Sequence, residues 1–455
     1  MRAYSCFPWS TIAIVALLAA GEALANSTID DSALRTRQTK LENGLTILTL
    51  EDHTTPVVAL QMWVRVGSSD ETRVTGLAHL FEHMMFKGSK NVPPEKHGQI
   101  IQSRGGRTNA YTSPDVTVYT TEVPSEALPL VIALEAERLA NLDISEKNLE
   151  SEREVVLEER RLRTEDRPGG RAREALYALT FQALPYRWPV IGWRSDLETV
   201  RIEDCRDFFS TFYVPNNIVI AIVGDFDEDA ALEQIRESFG ALAPGAEIPR
   251  SRTLEPQQRG VRRARVHFDV RAPVLVTAWR TPAVGHPDAE ALDVVGEILS
   301  GGRSSRTYRR LIHEEQIALS AHSSNSELAY AGIFGAYASV RPGESIERVE
   351  ALFLQEIARL RDEPVTPEEL VKAKRQLEVS MVHQLTTNSA IASRIGYDVT
   401  ILGAIRPLQD RLAAIQAVDA ADVQRVAQTY LTDEGQNIVH VVPPPDSTET
   451  KEGDS

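Results

Sequence analysis

Cysteine is nearly missing from this chain: its 455 residues include two, Cys6 and Cys205. Cys6 falls in an N-terminal leader, so the mature chain would keep Cys205 alone. That excludes an internal disulfide, a cysteine-based zinc site and chemistry between paired thiols. Core burial must hold the fold. Basic residues are outnumbered, 49 Lys and Arg against 65 Asp and Glu, for a formal charge of −16. A nucleic-acid binder would normally carry a basic patch or stripe, so no nucleic-acid partner is expected. An electrostatic anchor to an anionic membrane is equally disfavoured. Long apolar runs are lacking too. The run Thr11-Ile12-Ala13-Ile14-Val15-Ala16-Leu17-Leu18-Ala19-Ala20 has about half the ~20 residues that span a bilayer, so no membrane span is expected in the mature chain. With Arg2 before it and Ala23-Leu24-Ala25 after it, ahead of Asn26, it reads as a signal peptide over residues 1–25. The protein is therefore expected to be exported, to the periplasm. A mitochondrial presequence would be rich in Arg and poor in acids, whereas here Arg2 stands alone before Arg35 and Glu22 lies inside the segment.

With 42% hydrophobic and 25% charged residues, the remainder is a folding chain long enough for two or three domains. Residues 26–245 read as one α/β unit and 260–445 as a second. The segment 246–259, with Pro and Gly and no apolar period, reads as a linker, and 446–455 as a disordered polar tail. The two units look like copies of one design. Each opens with a β-branched strand, at 57–66 and 274–279. Each follows with a helix ending near glycine, at Gly88 and at Gly301-Gly302. Each closes with a helix and then a strand, at 200–212 and 218–224, and at 418–430 and 438–442. The closing helices carry Asp at the same offset, Asp204 and Asp422.

The chemistry concentrates in Gly76-Leu77-Ala78-His79-Leu80-Phe81-Glu82-His83-Met84-Met85-Phe86-Lys87-Gly88. On a helix, His79 and His83 are i and i+4 and project from one face. That spacing lets both imidazoles reach one zinc at ~2.0–2.1 Å. Glu82 flanks the same face, and Leu80, Phe81, Met84 and Met85 predict a buried helix. Buried histidines need a metal or hydrogen-bond partners, and two ordinary core histidines are the alternative. A tetrahedral zinc would need a third protein ligand. The charged helix over 145–166 can supply it: Glu152 and Glu159 lie two turns apart on a face shared with Val155 and Val156. Glu150, Glu154 and Glu158 fit a solvated face. The residues alone leave the choice among these acids open.

His79-x-x-Glu82-His83, followed by Glu152-Arg153-Glu154-Val155-Val156-Leu157-Glu158-Glu159, resembles the pitrilysin/insulinase family of inverted-motif zinc peptidases. Gly105-Gly106, Asn109-Ala110-Tyr111-Thr112, Pro185-Tyr186, Ile191-Gly192 and Tyr213-x-Pro215-x-Asn217 ending in Val223-Gly224-Asp225 resemble further segments of that family. Length and duplication resemble its short-subunit branch, which includes mitochondrial processing peptidases and bacterial relatives built from two chains. The resemblance implies an α+β fold of two duplicated α/β domains, each a mostly antiparallel sheet covered by helices. It implies Zn2+ held by His79, His83 and Glu159. Glu82 would be the catalytic base that activates water, and Glu152 a supporting acid of the catalytic group, behind the site. Asn109, Ala110 and Tyr111 would form a strand edge to which an unfolded peptide substrate adds; an ordinary hairpin is the alternative. The second copy reads Leu292-Asp293-Val294-Val295-Gly296-Glu297-Ile298-Leu299 where the first has its motif, so it cannot hold a second zinc. Active family members carry an Arg/Tyr pair, seven apart, in a C-terminal unit, and here those positions fall on Ile312 and Leu319; a shifted alignment would use Arg309 or Arg310, but no Tyr follows until Tyr330. That implies a heterodimer with a related chain supplying the pair, a homodimer being the alternative. A zinc metalloendopeptidase subunit is the expected function, and a non-catalytic peptide-binding or assembly subunit of the same fold the rival.

Overall fold

A computed structural model describes residues 35–250 and 253–445. The leader and the tail 446–455 lie outside the described residues. The first sheet contains β1 (Arg37–Lys40), β2 (Thr46–Glu51), β3 (Val57–Val64), β4 (Arg107–Thr112), β5 (Thr117–Pro124) and β6 (Ile218–Gly224), in the order β1-β2-β6-β3-β5-β4. The second contains β7 (Arg262–His267), β8 (Val274–Thr281), β9 (Ala318–Ser326), β10 (Gly332–Val340) and β11 (Asn437–Val442), in the order β7-β11-β8-β10-β9. Each sheet is antiparallel except for one pair, β2 with β6 and β7 with β11. The second order repeats β2-β6-β3-β5-β4 strand for strand, so the two α/β domains share one topology. The matched aspartates also do one job. Asp204 accepts the N–H of Arg201 (3.0 Å) and Asp422 that of Asp419 (3.2 Å), closing the first turns of helices Ile202–Phe212 and Ala420–Tyr430.

The central strands are mostly apolar on both faces because both faces of each sheet are covered. Val58, Leu60, Met62 and Val64 of β3 and Ile218, Ile220 and Ile222 of β6 enter the main core with Leu80, Phe81 and Met84. Ala59, Trp63, Val219, Ala221 and Val223 face the other way, onto Ile391, Ala392 and Ile395. Those three belong to helix Asn388–Tyr397, which lies among the second domain's helices in the chain yet packs on the first sheet. The reciprocal contact exists. Helix Pro168–Thr180 sets Ala172 and Leu176 against Val274, Val276, Val439 and Val441 of the second sheet. Each domain thus lends the other a helix. Gln61, fully buried, secures one exchange by donating to the Ser389 carbonyl (2.9 Å) and to Ser393 Oγ (3.0 Å).

Between Phe239 and Arg262 the described residues form no helix or strand. Pro and Gly exclude regular structure in this linker, but its charged side chains strap it down. Arg250 donates to Asp70 (2.8 Å) and to Asn217 Oδ1 (2.7 Å). Glu255 accepts the N–H groups of Gln182, Ala183 and Leu184 at 2.7, 3.0 and 2.8 Å. No helix among the described residues is long and apolar enough to cross a membrane.

Candidate metal centre

Helix Leu77–Met84 carries the motif and buries Leu80, Phe81 and Met84 completely. Its free N–H groups are satisfied from outside. The buried carboxylate of Glu71 accepts from Gly76 and Ala78, both at 2.8 Å. Gly76 has φ +91 and Gly192 φ +83, and a Cβ on Gly192 would stand 2.5 Å from the Gly76 Cα. The paired sequence signals around Gly76 and Ile191-Gly192 are therefore one backbone crossing that only glycine permits. Arg160 fastens the second helix, Glu146–Arg160, to the same place by donating to the Gly192 carbonyl (2.8 Å) and Glu174 (2.8 Å).

At this crossing the structure gathers His79, His83 and Glu159, with one ligand-type atom from each lying within 4.8 Å of the others. Glu159 Oε2 stands 3.2 Å from His83 Nε2 and 3.6 Å from His79 Nε2. This oxygen is buried and accepts no hydrogen bond. Two imidazoles and a carboxylate converging around an orphaned buried oxygen fit a zinc ion with one position left open. Glu159 Oε1 takes the Arg163 guanidinium at 2.6 Å.

Glu152, 2% exposed, lies behind His83: its Oε2 is 3.4 Å from His83 Nδ1, and its Oε1 accepts from Lys87 Nζ at 2.7 Å. It orients the imidazole and does not face the open side. Glu82 points to the other flank, where Thr112 donates to its Oε2 at 2.6 Å. Burial pushes the Glu82 carboxyl above the ordinary carboxylate range, against the Thr112 hydrogen bond. Burial and the neighbouring His83 push His79 down to about 4. Burial also acts to lower His83, but the adjacent Glu152 and Glu159 carboxylates prevail and hold it up to about 9. The His83 imidazole 3.2 Å away keeps the Glu159 carboxyl below its ordinary value.

One sequence expectation is corrected. Val156 is fully buried, but Val155 is 46% exposed. At 100° per residue the two valines stand on opposite sides of Glu152, and Val155, about 60° round, falls outside the contact face. Glu150, Glu154 and Glu158 are exposed. Asn109, Ala110 and Tyr111 lie in β4, which pairs with β5 alone and is the sheet edge. Asn109 and Tyr111 are exposed and Ala110 half-buried, and the Tyr111 ring meets Trp63 edge-on at 6.3 Å. Ile312 lies in the helical turn Tyr308–Glu314 and packs against the second core. Leu319 is 51% exposed on β9. Sequence reasoning missed Glu71 and Arg163, and it quoted Lys87 and Thr112 within family segments without giving either its role at the site. For Lys87 and Arg163 a signal existed, since each stands four residues after a site residue, His83 and Glu159.

Residues 46–192 match the family model for insulinase, peptidase family M16, and residues 199–377 that for the peptidase M16 inactive domain. The zinc protease PqqE of Helicobacter pylori is 30% identical over 408 residues, covering 89% of this chain and 92% of that protein. The chain belongs to the insulinase family, M16. The probable mitochondrial-processing peptidase subunit beta of Arabidopsis thaliana is 28% identical over 417 residues, 88% of this M16 chain and 77% of its own length. The crystal structure of a protease from Helicobacter pylori has a TM-score of 0.87 at 28% identity, covering 90% of this chain and 99% of that one. The match to the M16 inactive domain begins just before the closing helix of the first domain and takes in helix Ala289–Ser300 of the second, which has no histidine.

Proposed function

We propose that this M16 chain is an exported zinc metalloendopeptidase subunit that hydrolyses peptide bonds in unfolded peptides or small proteins. One observation carries the reading: the orphaned Glu159 oxygen faced by His79 and His83, with Glu82 held beside it and an unpaired strand edge alongside. A zinc ion held by His79, His83 and Glu159 would supply Lewis acidity, polarising a peptide carbonyl and acidifying water. The chain's own residues do the rest. β4 takes the substrate as an added strand through main-chain hydrogen bonds, a mode tolerant of side-chain identity. Glu82 is the general base, and its raised pKa suits it to accept a proton from the attacking water and return it to the leaving amine. Thr112 keeps that carboxylate aimed, and Glu152 keeps His83 aimed. Export rests on the leader pattern, and a mature N-terminus at Asn26, read by N-terminal sequencing, is the expected result.

The apolar residues Ile312 and Leu319 support a heterodimer in which a related chain supplies the missing Arg/Tyr pair, and the mitochondrial-processing peptidase relative is itself named a subunit. A homodimer is the second reading. The test is cleavage of an unstructured peptide after chelation and after zinc is restored. Activity lost and regained with one zinc per chain supports the reading. Activity indifferent to zinc removal contradicts it, and a chain that binds zinc and peptide without cleaving in any assembly is the assembly subunit instead.

A further inference from the structure

Two side chains of the metal-bearing domain, Asp115 and Tyr186, take hydrogen bonds from the domain without a metal site close to the active site. β4 ends at Thr112, which holds Glu82, and the turn 113–116 leads back into β5. Asp115 lies in that turn. Its Oδ2 accepts the backbone N–H of Ala329 (3.0 Å), and its Oδ1 accepts the Tyr186 hydroxyl (2.7 Å) and the Ser69 hydroxyl (3.3 Å). The Tyr186 hydroxyl in turn accepts the N–H of Tyr330 (3.0 Å). Ala329 and Tyr330 sit in the loop 327–331, between β9 and β10 of the second domain. Tyr186 also lines, with His79, Thr112, Pro114, Glu159 and Trp188, a cavity of about 470 Å³ beside the metal cluster.

We propose that Asp115 is a positioning residue: through it the loop 327–331 of the metal-free domain fixes the β4–β5 turn and so holds Thr112 against Glu82. The inference rests on Glu82 being the base. β4 is hydrogen-bonded on one side only, and the turn that ends it is held by the N–H groups of Ser68 and Ser69 on the Ser113 and Pro114 carbonyls (3.3 and 2.8 Å) and, from the second domain, through Asp115. Asp115 is also the only acceptor joining the turn to the Ala329 N–H; an amide in its place could keep that N–H but presents a donor where the carboxylate accepts from two hydroxyls, so both must turn, the Tyr186 hydroxyl proton loses its acceptor and the charge assistance is lost. Misplacing a catalytic group by about 1 Å can cost ~10²-fold in rate, so a loosened turn should appear in catalysis rather than in peptide affinity.

The test compares Asp115→Asn, Thr112→Val and their combination in the zinc-loaded full chain, assayed with its related partner chain. The expected result for Asp115→Asn is a fall in kcat of about 10–100-fold with KM within about twofold and zinc content unchanged. The double variant should be about as slow as the slower single variant, because both changes act through Glu82. Hydrogen exchange supplies a readout that needs neither activity nor partner. Asp115→Asn should speed exchange of the amides at 109–116 by about tenfold or more and leave those of 77–84 unchanged. Unchanged exchange at 109–116, or rate losses that multiply in the double variant, would overturn the proposal. A wild-type chain that cleaves nothing in any assembly, while Asp115→Asn still loosens 109–116, would instead overturn the peptidase reading and leave the tie between the domains in place.

Discussion

Glu159 serves two directions at once, with Arg163 on one oxygen and both imidazoles facing the other. An exposed neighbour could not do so: Glu158 is turned to solvent and bonded to Arg161. His83→Ala and Glu159→Gln should therefore lose zinc, and Glu158→Gln should retain one per chain, as metal analysis of the purified variants would read. Zinc loss with Glu158→Gln rather than Glu159→Gln would move the ligand without touching the peptidase reading. Glu152 belongs one step back. Because it fixes the His83 ring and is itself held by Lys87, Glu152→Gln should weaken zinc about 10–100-fold in a chelator competition, with zinc still bound at saturation.

Elements were legible where a single local rule decides them. The runs at 57–66 and 274–279 read as strands because they are rich in β-branched apolar residues, and the i, i+4 spacing put His79 and His83 on one helix face. Asp204 and Asp422 betrayed the duplication because capping an N-terminus needs an acid at a fixed offset. The exchange of helices Pro168–Thr180 and Asn388–Tyr397 was not legible: an amphipathic helix declares that one face is buried, not which sheet buries it. The roles of Thr112 and Asp115 were missed for a related reason, since their partners lie 30 and 214 residues away. One long-range clamp gives a stability prediction. Glu350, on helix Ile346–Asp362, accepts from Arg263 of β7 (2.6 Å) and lies 2.6 Å from His440 Nε2 of β11. Burial would raise its pKa, but those partners prevail and lower it from 4.5 to about 2. A carboxyl lowered on folding stabilises fully above its unfolded pKa, and the contribution fades as pH falls from 4.5 towards 2. Glu350→Gln should melt below the wild type at pH 7, with the gap closing over that acid window. A gap independent of pH would mean that shape, not charge, fixes the clamp.

At the scale of the molecule, the two domains cannot be treated as separable halves. Each sheet is covered by the other's helix, and Glu255 of the linker binds three backbone N–H groups of the first domain. The proposed zinc ligands and base lie in one domain, and the second holds Ile312 and Leu319 where, by the family resemblance, an Arg/Tyr pair would stabilise the oxyanion. Losing one such donor typically costs ~10²–10³ in rate. The isolated chain should therefore turn over slowly, and mixing it with a related chain that carries the pair should raise kcat by about that factor. Full turnover alone, with no gain on mixing, would mean that the clamp is supplied from elsewhere in this chain. The central claim is that Glu82 performs the proton transfers of peptide hydrolysis at a zinc held by His79, His83 and Glu159. The measurement that tests it most directly is the rate of cleavage of an unstructured peptide by the zinc-loaded wild type and Glu82→Gln, each assembled with the partner chain. The expected result is loss of cleavage by about 10²–10⁴-fold with one zinc per chain and peptide binding retained. Cleavage by Glu82→Gln at the wild-type rate would contradict it.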